Sequence, residues 1–453
     1  MKLIVVGSSH AGYEATQTLL KEMPDADIHL YESGQTASFL SCGIQSYLED
    51  VSKSLDELHY ANEMSYKEQG VNVHVNSEVT NINPDQKTVT VKTSSGEKEV
   101  SYDKLFLSPG AVPFELPVPG NDMENVFYLR GREWADAVKK AMPEAKQAVV
   151  IGGGYIGIEA AQSFTKAGIK TTVIDTQDNI LPTYLDKEFT DVLEANAAKH
   201  GMTFQPNEIV QEITGQNNQA SKVVTDKAAY EADMVLIAAG VRPNTSWLDG
   251  IINLDDRGLI EVDDYLLTSD SYIYAAGDAT RIPYAPGNDK RLIPLASNAR
   301  RQAVIAAKNI AAGKNKFTMP AVSGTSGLGL FDYKFANTGI KGVDADSLDV
   351  EVASKYYEEQ ILPDFMHDDT KIAMKIHYEK ESHRIVGAQL MSKKDVMMAI
   401  NAISVAISAN WTLEDLALAD FFFQPEYDNT WNFLNVLAQQ ALDETFGSDK
   451  QLF

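Results

Sequence analysis

Ala148-Val149-Val150-Ile151-Gly152-Gly153-Gly154-Tyr155-Ile156-Gly157 is the stretch whose reading decides the fold. The apolar run from Ala148 to Ile151 predicts a strand buried on both faces of a parallel sheet. The turn after it carries every glycine of the G-x-G-x-x-G pattern, at Gly152, Gly154 and Gly157. A helical pattern runs from Tyr155 to about Lys166, and a strand from Lys170 to Ile174 delivers Asp175. Strand, turn, helix, strand and acid, with roughly 20 residues from glycine to acid, predict a dinucleotide site. The pyrophosphate rests on the helix amides and the acid takes ribose hydroxyls. Asp175 accepts from a 2′-hydroxyl and repels a 2′-phosphate, so NADH is expected over NADPH.

A weaker βαβ unit opens the chain. Leu3 to Val6 is apolar, Gly7-Ser8-Ser9-His10-Ala11-Gly12 is its turn, and a helical pattern follows from Gly12 to about Met23. Ile28 to Tyr31 is the second strand and ends at Glu32. Ser9 stands where the central glycine usually lies, so alone the turn reads equally as a plain strand-to-helix connection. The intact nicotinamide-type unit downstream makes this first one a candidate flavin site, with Glu32 as its acid. A later strand, Tyr272 to Ala276, runs into Gly277-Asp278-Ala279, which makes Asp278 a candidate to hold the ribityl chain of a flavin.

The chain has 453 residues, which predicts two to four domains, each with its own core. Hydrophobic content of 44% and charged content of 23% are ordinary for a globular protein. A formal net charge of -25 repels phosphate backbones, which argues against nucleic acid and anionic membranes as general partners. The amino-terminal apolar run is too short for a signal segment, and no apolar stretch reaches spanning length, so a cytoplasmic protein is expected. A single cysteine excludes a disulfide-stapled framework.

That cysteine lies in Ala37-Ser38-Phe39-Leu40-Ser41-Cys42-Gly43-Ile44, ahead of a predicted helix from Ile44 to Leu48. Free cysteines are usually small buried hydrophobes. Following a flavin-type unit, at a helix start whose amides favour a thiolate, Cys42 becomes a candidate redox centre that cycles through sulfenic acid. Residues 71 to 107 alternate as short strands around turns, and Pro113, Pro117, Pro119 and Gly120 mark a crossing between domains. Arg300 and Arg301 stand near the start of a predicted helix from Ala299 to Ala312, where positive charge opposes the dipole. Beyond the linker-like Gly313-Lys314-Asn315-Lys316, strands at Lys371–Ile376 and Ile385–Leu390 precede a helix expected from about Asp395 to Ser408. The aromatic run Phe421-Phe422-Phe423-Gln424-Pro425, followed by Trp431 and Phe433, reads as core or subunit interface.

Taken together, these residues resemble the flavin-dependent pyridine nucleotide-disulfide oxidoreductases over essentially the whole chain. Ser38-Phe39-Leu40-Ser41-Cys42-Gly43 resembles the signature of their single-cysteine branch, which holds NADH peroxidase, water-forming NADH oxidase and coenzyme A-disulfide reductase. Within the branch the sequence looks most like NADH peroxidase. The resemblance lies in Gly7-Ser8-Ser9-His10, Gly12-Tyr13-Glu14-Ala15, Ser108 to Leu116, Phe331 to Phe335, Ala419 to Pro425 and above all Asn298-Ala299-Arg300. Ala11, Ala303 and Pro294 depart from the family pattern.

The resemblance implies an α/β fold with two Rossmann-like dinucleotide-binding domains and a C-terminal α+β interface domain. The FAD domain would cover 1–112 and 244–316, the NADH domain 113–243 and the interface domain 317–453. It implies FAD contacts at Gly7, Ser8, Ser9, His10, Ala11, Glu32, Cys42, Ser108, Pro109, Gly110, Ala111, Arg130, Asp278 and Ala296. NADH contacts are implied at Tyr155, Ile156, Asp175, Tyr184, Gly240 and Gly327, with Tyr155 as the ring that shields the flavin until NADH displaces it. Cys42, His10 and Arg300 would be catalytic, and no metal is expected. The expected substrates are NADH and hydrogen peroxide, with dioxygen or coenzyme A disulfide as alternative acceptors, in a homodimer or homotetramer.

Overall fold

The computed structural model describes residues 1–287 and 289–444; residues 445–453, the end of the expected C-terminal domain, lie outside the described residues. The amino-terminal unit consists of strand β1 (Lys2–Val6), helix α1 (His10–Glu22) and strand β2 (Asp27–Tyr31). β1 lies at the centre of a parallel sheet, between β2 and the strand Lys104–Leu107. Ile273–Ala275 and Asn72–His74 complete the two flanks. Every residue from Leu3 to Val6 is buried, as a strand covered on both faces requires.

The unit that decides the fold repeats this plan with β3 (Gln147–Ile151), α2 (Tyr155–Lys166) and β4 (Lys170–Ile174). β3 pairs in parallel with β4 and with Met234–Ile237, and the sheet ends in Met202–Gln205 on one side and Val126–Phe127 on the other. Helix α3 (Lys187–Lys199) follows the loop after β4. Helix α4 (Ala296–Ala312) returns to the first domain and packs on α1. Ala11, Ala15, Ala299, Ala303, Ala306 and Ala307 are all buried in the core cluster these two helices share. Small side chains let the helices approach closely, and they accommodate Ala11 and Ala303 despite the departure from the family pattern.

The C-terminal part is an antiparallel sheet in which β5 (Lys371–Glu379) and β6 (Ile385–Ser392) are the buried strands. The helices Ile400–Ser408 and Phe433–Ala441 bury their apolar faces against it. The fold is therefore the expected α/β arrangement of two parallel dinucleotide-type sheets with an antiparallel C-terminal sheet.

Local details differ from the expectations. α1 begins at His10 rather than Gly12, which puts His10 in the first helical turn. The C-terminal helix begins at Ile400, after a tighter turn over Met397–Ala399. The aromatic run divides: Phe433 is buried, while Phe422 and Tyr427 are 71% and 61% exposed. No helix among the described residues is long and apolar enough to cross a membrane.

Candidate active site

Both glycine turns lie at the carboxyl ends of parallel strands, where open α/β sheets bind ligands. Gly7 has a φ of +87°, and a Cβ on Gly12 would lie 1.7 Å from the Gly7 carbonyl oxygen, so neither position accepts a larger residue. The central position makes no such demand. Ser9 has a φ of -71° and its counterpart Gly154 a φ of -77°, ordinary extended backbone in both cases. The degraded fingerprint therefore builds the same turn as the intact one. Neither helix start is capped by a side chain, and a Cβ on Gly154 would meet nothing within 4 Å. Uncapped amides at these turns suit a pyrophosphate, so the residues present fit a dinucleotide at each.

The acids lie where the sequence puts them. Glu32 Oε2 accepts from the Ser8 amide at 3.1 Å and the Ser8 hydroxyl at 2.6 Å. Asp175 Oδ2 accepts from the Gly153 amide at 2.6 Å, and its Oδ1 accepts from Gln177. The Ser108 hydroxyl donates to the Val6 carbonyl at 2.8 Å, which holds the Ser108-Pro109-Gly110-Ala111 strand end over the first turn. Gly110 has a φ of +67° and faces Arg130 Nη2, which is paired with Asp278 at 2.9 Å. Ala296 is the first residue of α4.

In the second unit the Tyr155 and Tyr184 rings stack, with centroids 3.8 Å and planes 10° apart. The Tyr155 hydroxyl lies 2.9 Å from that of Ser326, next to Gly327 on the first strand of the C-terminal sheet. Ile156 is 36% exposed, and Gly240, at a φ of +113°, has open space above it. Among the described residues, no group of three or more His, Cys, Asp or Glu is arranged to hold a metal ion.

Cys42 lies in a short 3-10 turn, Ser41–Gly43, directly before the helix Ile44–Leu48. Its loop is pinned from two sides. The Ser38 amide donates to the Ser8 hydroxyl at 2.9 Å, and the Ser38 hydroxyl lies 2.6 Å from that of Tyr66. The Ser41 hydroxyl donates to the Arg130 carbonyl at 2.7 Å. These bonds bring Cys42 Sγ to 3.8 Å from His10 Nε2.

One expectation fails here. Cys42 is exposed, yet desolvation pushes its thiol pKa up, and the negative charges of Glu159 and Asp278 add to that. Arg130 and a backbone hydrogen bond work the other way but do not prevail. The dipole of a five-residue helix is a small effect beside burial near two carboxylates.

Arg300 is not a solvated surface cation. Its Nη1 pairs with Glu14 at 3.1 Å, and its guanidinium lies 4.1 Å from the Tyr60 ring and 4.9 Å from the Tyr13 ring. Glu14 and the two π faces offset the cost of a cation near a helix start. Tyr60 meets His10 edge-on at 5.5 Å. Burial first, and then the Arg300 charge, hold the His10 pKa below its usual value. Arg301, by contrast, bonds only locally, to Asn298 at 3.0 Å.

Sequence reasoning missed Tyr60 and Glu159. Glu159 stands one helical turn beyond Tyr155 on α2, and that spacing was the available signal. Desolvation and the nearby Glu49 raise its pKa to about 7. Glu159→Gln removes the largest electrostatic contribution raising the thiol, so the midpoint pH for alkylation of Cys42 by iodoacetamide is expected to fall. An unmoved midpoint would show that this carboxyl does not act on the thiol.

Comparison with known proteins was consistent along the chain. Residues 1–303 match the family described as pyridine nucleotide-disulphide oxidoreductase, and residues 325–433 match its dimerisation domain. An NADH oxidase of Enterococcus faecalis is 40% identical, covering 98% of this chain and 100% of that one. The water-forming NADH oxidase of Lactobacillus brevis, solved bound to NADH, superposes with a TM-score of 0.94 at 37% identity over 98% of both chains. An NAD-dependent persulfide reductase of A. fulgidus gives 0.94 at 28% identity, over 98% of this chain and 83% of that one.

Proposed function

This chain belongs to the pyridine nucleotide-disulphide oxidoreductase family, and we propose that within it the chain acts as an NADH peroxidase that reduces hydrogen peroxide to water at Cys42. It is an enzyme of the flavoprotein oxidoreductase class, with FAD and NAD(H) as cofactors. The observation that carries the reading is the Cys42–His10 contact at 3.8 Å, with the Arg300 cation packed behind the same cluster.

Gly7, Ser8, Ser9, Ala11, Glu32, Ser108 to Ala111, Arg130, Asp278 and Ala296 would hold FAD. Tyr155, Ile156, Asp175, Tyr184, Gly240 and Gly327 would hold NADH. When bound, FAD supplies the two-electron relay between NADH and the thiol. Cys42 Sγ attacks one peroxide oxygen as the thiolate, the O–O bond breaks and hydroxide leaves. His10, kept neutral near pH 7 by its lowered pKa, is within reach to take the proton of the Cys42 thiol and pass it to the leaving hydroxide, which becomes water. Cys42 is left as sulfenic acid. The electron pair of NADH and a proton restore the thiolate and release the second water. Arg300, held by Glu14 and Tyr60, adds positive potential behind His10 and helps keep that imidazole neutral. Because this is the only cysteine, no resolving thiol can divert the sulfenic acid into an internal disulfide.

The names of the Enterococcus and Lactobacillus relatives favour a second reading, in which dioxygen is the acceptor and water the product. NADH oxidation by the purified holoprotein separates the two. Peroxide-dependent turnover under nitrogen, exceeding the rate in air with catalase present, is the expected result. Oxygen uptake in catalase-treated buffer that matches the peroxide rate would replace the peroxidase by a water-forming oxidase. Thiol release from coenzyme A disulfide at a comparable rate would point instead to disulfide reduction.

The C-terminal part, which matches a dimerisation domain and exposes Leu418, Phe422 and Tyr427, is read as the contact between copies in a homodimer or homotetramer. A sedimentation mass near 49.8 kDa, that of one chain, would refute this.

A further inference from the structure

Asp186 is the N-cap residue of α3, yet its carboxylate does not cap that helix. It turns away from its own helix and into the C-terminal sheet. Its Oδ1 accepts from the Gly342 amide at 2.8 Å, and its Oδ2 lies 2.9 Å from Lys375 Nζ and 3.2 Å from His377 Nε2. Its own amide donates to Gln389 Oε1 at 2.6 Å. Lys375 and His377 alternate along β5, and Lys375 sits opposite Gln389 on β6, so all three side chains face Asp186 from one side of the sheet. The group is closed off from solvent, with Asp186 at 6%, His377 at 1% and Gln389 at 0% exposure. Such a cluster is costly to bury, and a solvent-exposed helix cap would have served α3 alone.

Its position suggests what it does. Tyr184, whose ring stacks on Tyr155, lies two residues before Asp186. The other end of the same loop is fixed at the glycine turn, where the Leu181 amide donates to the Gly153 carbonyl at 2.8 Å. Between these anchors, the place of the Tyr184 ring follows from where Asp186 is held. The Tyr155 hydroxyl is fixed from the same C-terminal sheet, by Ser326 and by Asn337 at 3.3 Å.

We propose that Asp186, gripped by Lys375, His377 and Gln389, is a positioning residue that sets the Tyr184–Tyr155 ring pair and through it the affinity for NADH. The proposal rests on the reading that these tyrosines line the nicotinamide site. The C-terminal domain thereby acts on a cofactor bound in another domain, through side chains that touch neither NADH nor the thiol.

The test measures KM for NADH and kcat in the holoenzyme. Asp186→Asn removes the charge, and Gln389→Met cuts the bond to the Asp186 amide and the Gln389–His377 contact at 3.3 Å but leaves the Lys375 pair, so the second variant stands in should the first fail to fold. Each is expected to raise the KM for NADH by about three- to tenfold with kcat and flavin content nearly unchanged, the scale of coupling through packed side chains. The effect should vanish when Asp186→Asn or Gln389→Met is placed in a Tyr184→Ala background. A KM that moves in Tyr184→Ala but in neither latch variant would overturn the latch while leaving the nicotinamide site intact. A KM unmoved in all of them would overturn the reading of the site as well. A purely structural role would lower thermal stability and leave the KM in place, which also refutes the proposal.

Discussion

Cys42→Ser is expected to abolish peroxide-dependent NADH oxidation while leaving the flavin spectrum and its bleaching by NADH intact. The loss should be about three orders of magnitude or more, the scale of removing a nucleophile that no other group replaces. Serine keeps the size of the side chain and the bonds that pin the loop, since those run through Ser38 and Ser41 rather than Cys42. Its hydroxyl is a far weaker nucleophile at neutral pH and cannot carry the sulfenic acid state. Turnover retained above about a tenth of the parent rate, beyond what one lost nucleophile can leave, would remove Cys42 from the reaction. Because the thiol is pushed up rather than down, the parent rate should climb with pH on its alkaline approach to the thiolate. The serine variant should lack that rise.

Asp175→Ala carries the next largest effect. A lost hydrogen bond to a charged group is worth roughly 1.5–3 kcal/mol, so kcat/KM for NADH should fall about 10- to 100-fold. NADPH should lose less, because the repulsion of its 2′-phosphate is removed at the same time. The alanine also deprives the Gly153 and Gln177 amides of their acceptor, which loosens the turn for both cofactors. Asp175→Asn separates the causes: it retains an acceptor, lifts the charge repulsion, and should narrow the preference with a smaller drop in NADH use. An unchanged ratio of NADH to NADPH in both variants would show that Asp175 is not the selector.

Much of the fold was legible because its evidence is local. The runs Leu3–Val6 and Ala148–Ile151, the glycines after them and the acids at Glu32 and Asp175 all lie within one supersecondary unit each. The degraded turn also proved readable, for a reason the motif does not state: the Ser9 position needs only ordinary backbone angles. What could not be read depends on pairs distant in sequence. Nothing near Arg300 announces that Glu14 and Tyr60 will receive it, and nothing near Asp186 announces Gln389, 203 residues away. The thiolate expectation failed for another reason. A helix start was visible in the sequence, but the desolvation around Cys42 and the carboxyls of Glu159 and Asp278 come from other elements, and these outweigh a short dipole.

The Ser8 hydroxyl has a bearing on how this chain can change by descent. It occupies a variable place in the nucleotide-binding pattern, where a turn as such would tolerate many residues. Here it donates to Glu32 and accepts from the Ser38 amide, joining the acid of the first unit to the loop that carries Cys42. A drift to glycine or alanine would leave a serviceable turn and the bond from the Ser38 hydroxyl to the carbonyl of residue 8, but would remove the side-chain link between the acid and the loop. The position therefore serves the acid of the first unit and the loop that carries the thiol at once.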